Sequence, residues 1–398
     1  MNRVLKDLLL NITFFRRAWA RYRANQWETR YQRWQLIYGR LAVEQGLLYS
    51  KEWLQKELAK RLANLNIHYR RMGEIHTGIF ALTRNWGIGM VYELQALGPV
   101  SVFDWEDNGY SEPDPRHQDQ VPLLNKRIFE FVFKEHMKRP FDWLLMTGNG
   151  KMLLRQTLQR IREELGIPIV NQWLDCKQNF ELGMGPYGQD IGMKDIAQEF
   201  DLMWTSSRSM CEPYMIFGAK PLYLPEGFSP KLTPHIDCPK KFEVGFMGAR
   251  YGLRQDYIDA LCRAGLLVET YGPGWRGGEI PLDQMGRFFN ECKVNLGFGG
   301  VGYSMQLATL KGRDFEVPGA GGAYLTTYNP DLAEFFHIGH EILCYHSIDD
   351  LIEQARRLVR DDSFREELAA RAYERSMREH RWLNRFKTIL EILGILEQ

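Results

Sequence analysis

Cysteines are few and unpaired by spacing. Cys176, Cys211, Cys238, Cys262, Cys292 and Cys344 are scattered, and no Cys-x-x-Cys occurs. This argues against a zinc site or a disulfide framework and suits a reduced, cytoplasmic setting. No apolar run reaches the length of a membrane span. The basic start is followed by a short apolar stretch without a small-residue cleavage site, so no secretory signal is expected. Neither sign of charge dominates: the formal net charge is +1. Overall charge therefore gives no reason to expect nucleic acid or an acidic partner.

What is present is ordinary globular material. Over 398 residues, 44% are hydrophobic and 25% charged, which predicts two core-forming domains with an appendage. Residues 1–66 lack glycine-rich turns and read as a helical extension, with helices over 4–24, 27–38 and 51–63. Up to Arg40 there are nine Lys or Arg against two acids, interleaved with Leu8, Leu9, Leu10, Phe14, Phe15 and Trp19. Two readings stand. One is a basic amphipathic helix on the inner face of a membrane. The other, favoured because Trp27, Trp34 and Tyr38 continue the apolar pattern, is a helical hairpin packed on the main body or on a second copy.

From Ile75 strands and helices alternate. Strands are expected at 75–82, 100–104, 142–147, 168–174, 201–206 and 221–224, within a first domain of 67–228. Gly87 and Gly89 follow the first strand, where a loop either approaches a ligand closely or merely shapes the turn. Asp175 closes the strand 168–174. A carboxylate there points into the crevice of a parallel sheet as a catalytic acid, or else braces the loop. His117 lies in an exposed loop and reads as a solvated histidine. Gly148-Asn149-Gly150-Lys151 lacks Walker spacing.

A second domain, 229–380, opens with Phe242-Glu243-Val244-Gly245-Phe246-Met247-Gly248, then Arg250 and Arg254 ahead of a helix. Strand, glycine turn and arginine before a helix N-terminus suit an anion. Strands follow at 266–270, leading into Tyr271-Gly272-Pro273-Gly274-Trp275, and at 294–297. Gly297-Phe298-Gly299-Gly300-Val301-Gly302 matches the dinucleotide pattern Gly-x-Gly-x-x-Gly. It sits in the third strand unit and is followed by only a short segment, so an NAD-dependent oxidoreductase is a weaker alternative. The organising stretch comes next: Lys311-Gly312-Arg313-Asp314-Phe315-Glu316, then Gly319, Gly321, Gly322 and a buried strand. Two cations flank a glycine and can converge on one anion. Glu316 is acceptor-only and suits paired hydroxyls such as a ribose diol. Gly321 and Gly322 would let backbone N–H groups approach a ligand. The residues alone leave a salt-bridged turn before a core strand equally open. Asn329 with Pro330, Ser347, and Ser363 with Glu366 read as helix starts, and a C-terminal helix fills 381–398.

The run 311–328, its continuation Asn329-Pro330-Asp331-Leu332-Ala333-Glu334-Phe335-Phe336, and Glu379-His380-Arg381-Trp382 resemble the CgeB-like (spore-maturation type) glycosyltransferases of the group 1 superfamily. The resemblance runs from about Ile75 to Trp382 and is strongest from Phe242. It implies a GT-B architecture: α/β, two doubly wound Rossmann-like domains facing a cleft. It also implies an enzyme that moves a sugar from a nucleotide-diphosphate donor to a cell-envelope glycan, lipid-linked glycan or protein. By the resemblance Gly248, Arg250 and Arg254 face the diphosphate, and Tyr271, Gly272 and Trp275 lie near base or sugar. Lys311 and Arg313 neutralise the leaving group and Glu316 holds the ribose. Asp175, Gly87 and Gly89 fall on the acceptor side. No Asp-x-Asp is present, so no metal and no cofactor are expected. One departure is evident: an acid expected eight residues before Glu316 is replaced by Ala308. That leaves retention or inversion open and keeps an epimerase or a non-catalytic scaffold in view.

Overall fold

The computed structural model describes residues 13–65, 67–110, 120–185, 188, 190–301 and 303–397. His117, Gly302 and the apolar triplet Leu8–Leu10 lie outside the described residues. The chain divides into two compact units, residues 34–225 with 382–398, and residues 226–381 with the N-terminal segment up to Arg33. The changeovers fall at 225/226 and 381/382. Of the helical extension, residues 34–65 cluster with the first sheet and 13–33 with the second.

The first unit carries six parallel strands: β1 (Thr77–Ala81), β2 (Val100–Asp104), β3 (Trp143–Met146), β4 (Ile169–Gln172), β5 (Leu202–Thr205) and β6 (Pro221–Tyr223). Their order is β2-β1-β3-β4-β5-β6. The direction of winding reverses between β1 and β3, and the crevice of such a sheet opens at the carboxyl ends there. Both β1 and β3 are buried throughout. That is why they read as short unbroken apolar runs rather than alternating ones. One face is covered by Leu54, Leu58 and Leu62 of helix Lys51–Leu62 and by Trp382, Phe386, Ile389 and Leu390 of helix Trp382–Leu393. Trp204 packs edge-on against both Trp382 and Phe386. Each such ring contributes on the order of 2–3 kcal/mol by burial.

The second unit holds five parallel strands: β7 (Phe242–Met247), β8 (Val268–Tyr271), β9 (Cys292–Leu296), β10 (Tyr324–Thr327) and β11 (Leu343–Tyr345), ordered β11-β10-β9-β7-β8. Here the reversal falls between β7 and β9. Leu325 joins the core under helices Arg254–Arg263 and Ile348–Arg360. Tyr324, on the opposite face, joins Phe288, Phe289 and Phe315. His380 is buried among Phe315, Phe335 and Phe336, and its Nε2 lies 2.9 Å from the Phe335 carbonyl.

Two local expectations are corrected. The predicted helices 4–24 and 27–38 are one helix in the described region, Thr13–Glu44, with Asn25 and Gln26 inside it. Gln26 Nε2 donates to the Tyr22 hydroxyl at 2.7 Å, so a polar pair that looked like a break is a surface contact on a continuous helix. Within the second unit Arg16 and Arg17 pair with Asp256, and Ser304 donates to Glu28. Within the first, Trp34 Nε1 donates to Glu181 at 2.9 Å. The second correction concerns the helix at 363. Asp361, not Ser363, is its cap, accepting from Phe364 N at 3.0 Å. Ser347 caps its helix as read, and Ser50 caps helix Lys51–Leu62. No helix among the described residues is long and apolar enough to cross a membrane.

Candidate functional site

The carboxyl ends of β7 and β8 are joined by two glycines that touch. Gly248 has φ +151° and Gly272 φ +120°, backbone that other residues rarely adopt. A Cβ on Gly272 would stand 2.7 Å from the Gly248 carbonyl carbon and oxygen. The turns are laced together. Gly248 N donates to Tyr271 O at 2.8 Å, Arg250 N to Pro273 O at 2.8 Å, and Trp275 Nε1 to Gly248 O at 2.7 Å. Trp275 is buried against Phe246, so its indole braces the glycine turn and offers no open stacking face. The Tyr271 ring leans edge-on against Phe288.

The arginines of this turn separate. Arg250 is exposed, over the Trp275 ring at 5.8 Å. Arg254 is buried and donates to Ala249 O at 2.8 Å and to the Tyr251 hydroxyl at 3.0 Å, with Tyr251 stacked under it at 4.0 Å. Burial pulls its guanidinium down to about 10. Two of its donors are thus engaged inside the turn, which makes it a brace for the Ala249–Tyr251 backbone.

Beside this turn begins a helix the sequence had disguised, Arg313–Gly319. Its glycine lead-in and internal Pro318 read as a flexible turn, yet Glu316 N donates to Gly312 O at 2.8 Å. Asp314 is buried and ties the segment down. It accepts from Lys311 N at 2.8 Å and from the Tyr324 hydroxyl at 2.7 Å, and burial raises its carboxyl. Arg313 is half-buried, with Nη1 2.7 Å from the point where a Gly248 Cβ would stand and Cζ 5.2 Å from the Phe246 ring centre. Among the described residues its guanidinium has no hydrogen bond or ion pair, and its Nε is buried. An unsatisfied guanidinium is costly unless something pairs with it. Glu316 sits on the next turn. Burial pushes its carboxyl up to about 7, with the Arg313 charge pulling the other way.

Gly321 and Gly322 are not part of this cradle. They precede β10 at its amino end, where a Cβ on Gly321 would overlap His235 and one on Gly322 would stand 2.7 Å from Asn295 Nδ2. Close packing, not ligand approach, accounts for both. The dinucleotide pattern also lacks its helix. Gly300 forms an antiparallel bridge with Ala308, and Val301 N donates to Leu307 O at 2.8 Å, so a hairpin follows β9. A Cβ on Gly297 would overlap Tyr324 and Thr326.

In the first unit Gly87 and Gly89 lie in helix Gly87–Leu94, and a Cβ on Gly87 would overlap the Leu82 carbonyl. Asp175 is exposed beyond the carboxyl end of β4, at the start of the short helix Cys176–Asn179. One acid escaped the sequence reading. Glu226, in the segment Pro225-Glu226-Gly227-Phe228, is buried close to Gly312. An acid in an otherwise apolar linker was the available signal.

Residues 254–391 match the family model described as glycosyl transferase-like. No curated protein matches the chain. Among solved structures, a sucrose-phosphate synthase from Thermosynechococcus elongatus is similar with a TM-score of 0.55 at 10% identity, over 81% of this chain and 99% of that one. A glycosyltransferase from Rickettsia africae is similar with a TM-score of 0.53 at 8% identity, over 81% and 98%. At such identities the likeness is one of fold. Two doubly wound parallel-sheet domains define the class by architecture, a GT-B fold, and the glycosyl transferase-like match falls mostly in the second.

Proposed function

We propose that the protein moves a sugar from a nucleotide-diphosphate donor, held at the carboxyl edge of the second sheet, to a glycan, lipid-linked glycan or protein of the cell envelope. The observation that carries this reading is the Arg313 guanidinium, unpaired among the described residues beside the bare Gly248 turn and one helical turn from Glu316. A departing diphosphate needs cations where its charge develops, and fixed cations can supply them without a metal. In the proposed step an acceptor oxygen bonds to the anomeric carbon as the bond from that carbon to the diphosphate breaks. The nucleoside diphosphate leaves with the electron pair, against Arg313 and Lys311. The acceptor hydroxyl gives up its proton to a base, and Asp175 is the candidate for that role. Glu316 accepts hydrogen bonds from the ribose hydroxyls. Arg254 and Trp275 act through the backbone they hold.

Within the class we assign the chain to the CgeB-like branch and place it in the cytoplasm. Exposed Phe14, Phe15 and Tyr22 on the arginine-rich N-terminal helix offer a surface for peripheral membrane contact or self-association. The reading is tested by incubating the protein with UDP-, GDP-, CDP- and dTDP-sugars in the presence of EDTA and measuring nucleoside diphosphate release. Release from one donor that is lost in Arg313→Ala supports it. Release only when magnesium is restored contradicts the metal-free mechanism, and no release from any donor contradicts the enzyme.

A further inference from the structure

Glu226 lies in the segment that enters the second unit and is 8% exposed. It is held in place two residues on, where Phe228 packs against the bare Gly319 and donates its N–H to His380 O at 3.1 Å. The side chain reaches Gly312. A Cβ on Gly312 would stand 2.8 Å from Glu226 Oε2 and 3.4 Å from Glu316 Oε1. Two carboxylates, one from the entering segment and one from helix Arg313–Gly319, thus converge on the glycine between Lys311 and Arg313. We propose that Glu226 is a donor-positioning acid that shares with Glu316 the task of holding the ribose hydroxyls of the nucleotide. Carboxylates only accept hydrogen bonds, so two of them side by side complement two neighbouring hydroxyl donors. The chain has Ala308 where the resemblance leads one to expect a second acid. The geometry supplies that acid from a position 82 residues earlier along the sequence read from 308. Gly312 is then required because any side chain would strike the pair.

The inference rests on the donor reading, and the two can fail separately. The charges acting on Glu316 from its own helix are Arg313 and Asp314, and from the entering segment Glu226 shares with it the space over Gly312. Two like charges in a half-covered site disfavour joint ionisation. Removing the Glu226 charge in Glu226→Gln therefore lets Glu316 ionise at lower pH.

The experiment is calorimetric titration of the full chain with UDP, dUDP, GDP and dGDP from pH 5 to 8, for wild type, Glu226→Gln and Glu226→Ala. Wild type is expected to prefer a ribonucleotide over its 2′-deoxy form by about tenfold, the worth of one hydrogen bond to a charged group. In Glu226→Gln that preference falls below about threefold, and the pH at which binding is half lost moves down. A structural glutamate would change neither. If wild type binds none of the four, the donor reading and this inference fall together. If wild type binds and Glu226→Gln keeps both the preference and the pH profile, the inference is overturned while the donor reading stands. Should Glu226→Ala fail to fold, the near-isosteric glutamine variant still decides.

Discussion

Arg313 Nη1 occupies the space that a Gly248 side chain would need, 2.7 Å from its Cβ position. The glycine and the arginine are therefore one device, although 65 positions of sequence separate them. Gly248→Ala must push the guanidinium away and force a side chain onto φ +151°. It is expected to cost about 1–3 kcal/mol of stability, read by urea unfolding. Nucleoside diphosphate binding should be lost with it, read by calorimetry.

Arg313→Ala separates binding from folding. Its guanidinium has no hydrogen bond or ion pair among the described residues, so folding loses little beyond its contact with the Phe246 ring when it goes. Melting temperature should stay level or rise, while affinity for the nucleoside diphosphate drops by about tenfold to a hundredfold. Arg313→Lys keeps the charge without the planar fork and should recover only part of the loss.

Trp275→Phe probes the brace. The variant keeps the buried ring and removes the 2.7 Å bond to Gly248 O. A loss of about 1 kcal/mol in stability is expected, with a smaller effect on nucleotide affinity than Arg313→Ala. If the affinity losses were reversed in order, the indole would be contacting the ligand.

Glu316 makes stability fall with pH. Its carboxyl is raised from 4.5 in an open chain to about 7 in the fold. Between those values the folded state holds the proton more often, so stability declines as pH rises through the window and levels off above it. Glu316→Gln removes this decline. The melting temperature of the variant relative to wild type should climb from pH 4.5 to pH 7.5. The gain is about 1–3 kcal/mol at most, because the residue is only half-buried and solvent screens it. A difference that stays flat with pH would mean the carboxylate is not held in an apolar setting.

Much of the fold was legible because its strands are buried on both faces and separated by helices. Residues 100–104 were read with their observed limits as β2, and 142–147 contains β3. The three-residue β11 was missed. The helix at Arg313 was hidden by Gly312, Pro318 and Gly319, which locally signal a turn and are overruled by Asp314 and Tyr324. The candidate site was half legible for a related reason. Lys311, Arg313 and Glu316 are neighbours in sequence, so their charges announce one another. Glu226 and Phe246 reach them only through the fold. Trp275, Arg254, Gly321 and Gly322 look like ligand contacts by residue type, yet their polar groups or surroundings are taken up by the protein itself.

The most direct test of the account is calorimetric titration of the purified protein with UDP, GDP, CDP, dTDP and NADH in parallel, with and without magnesium, repeated on Arg313→Ala. The account predicts that one nucleoside diphosphate binds without metal and that the variant binds it at least about tenfold more weakly. Binding of NADH alone, or unchanged nucleotide binding in Arg313→Ala, would contradict it.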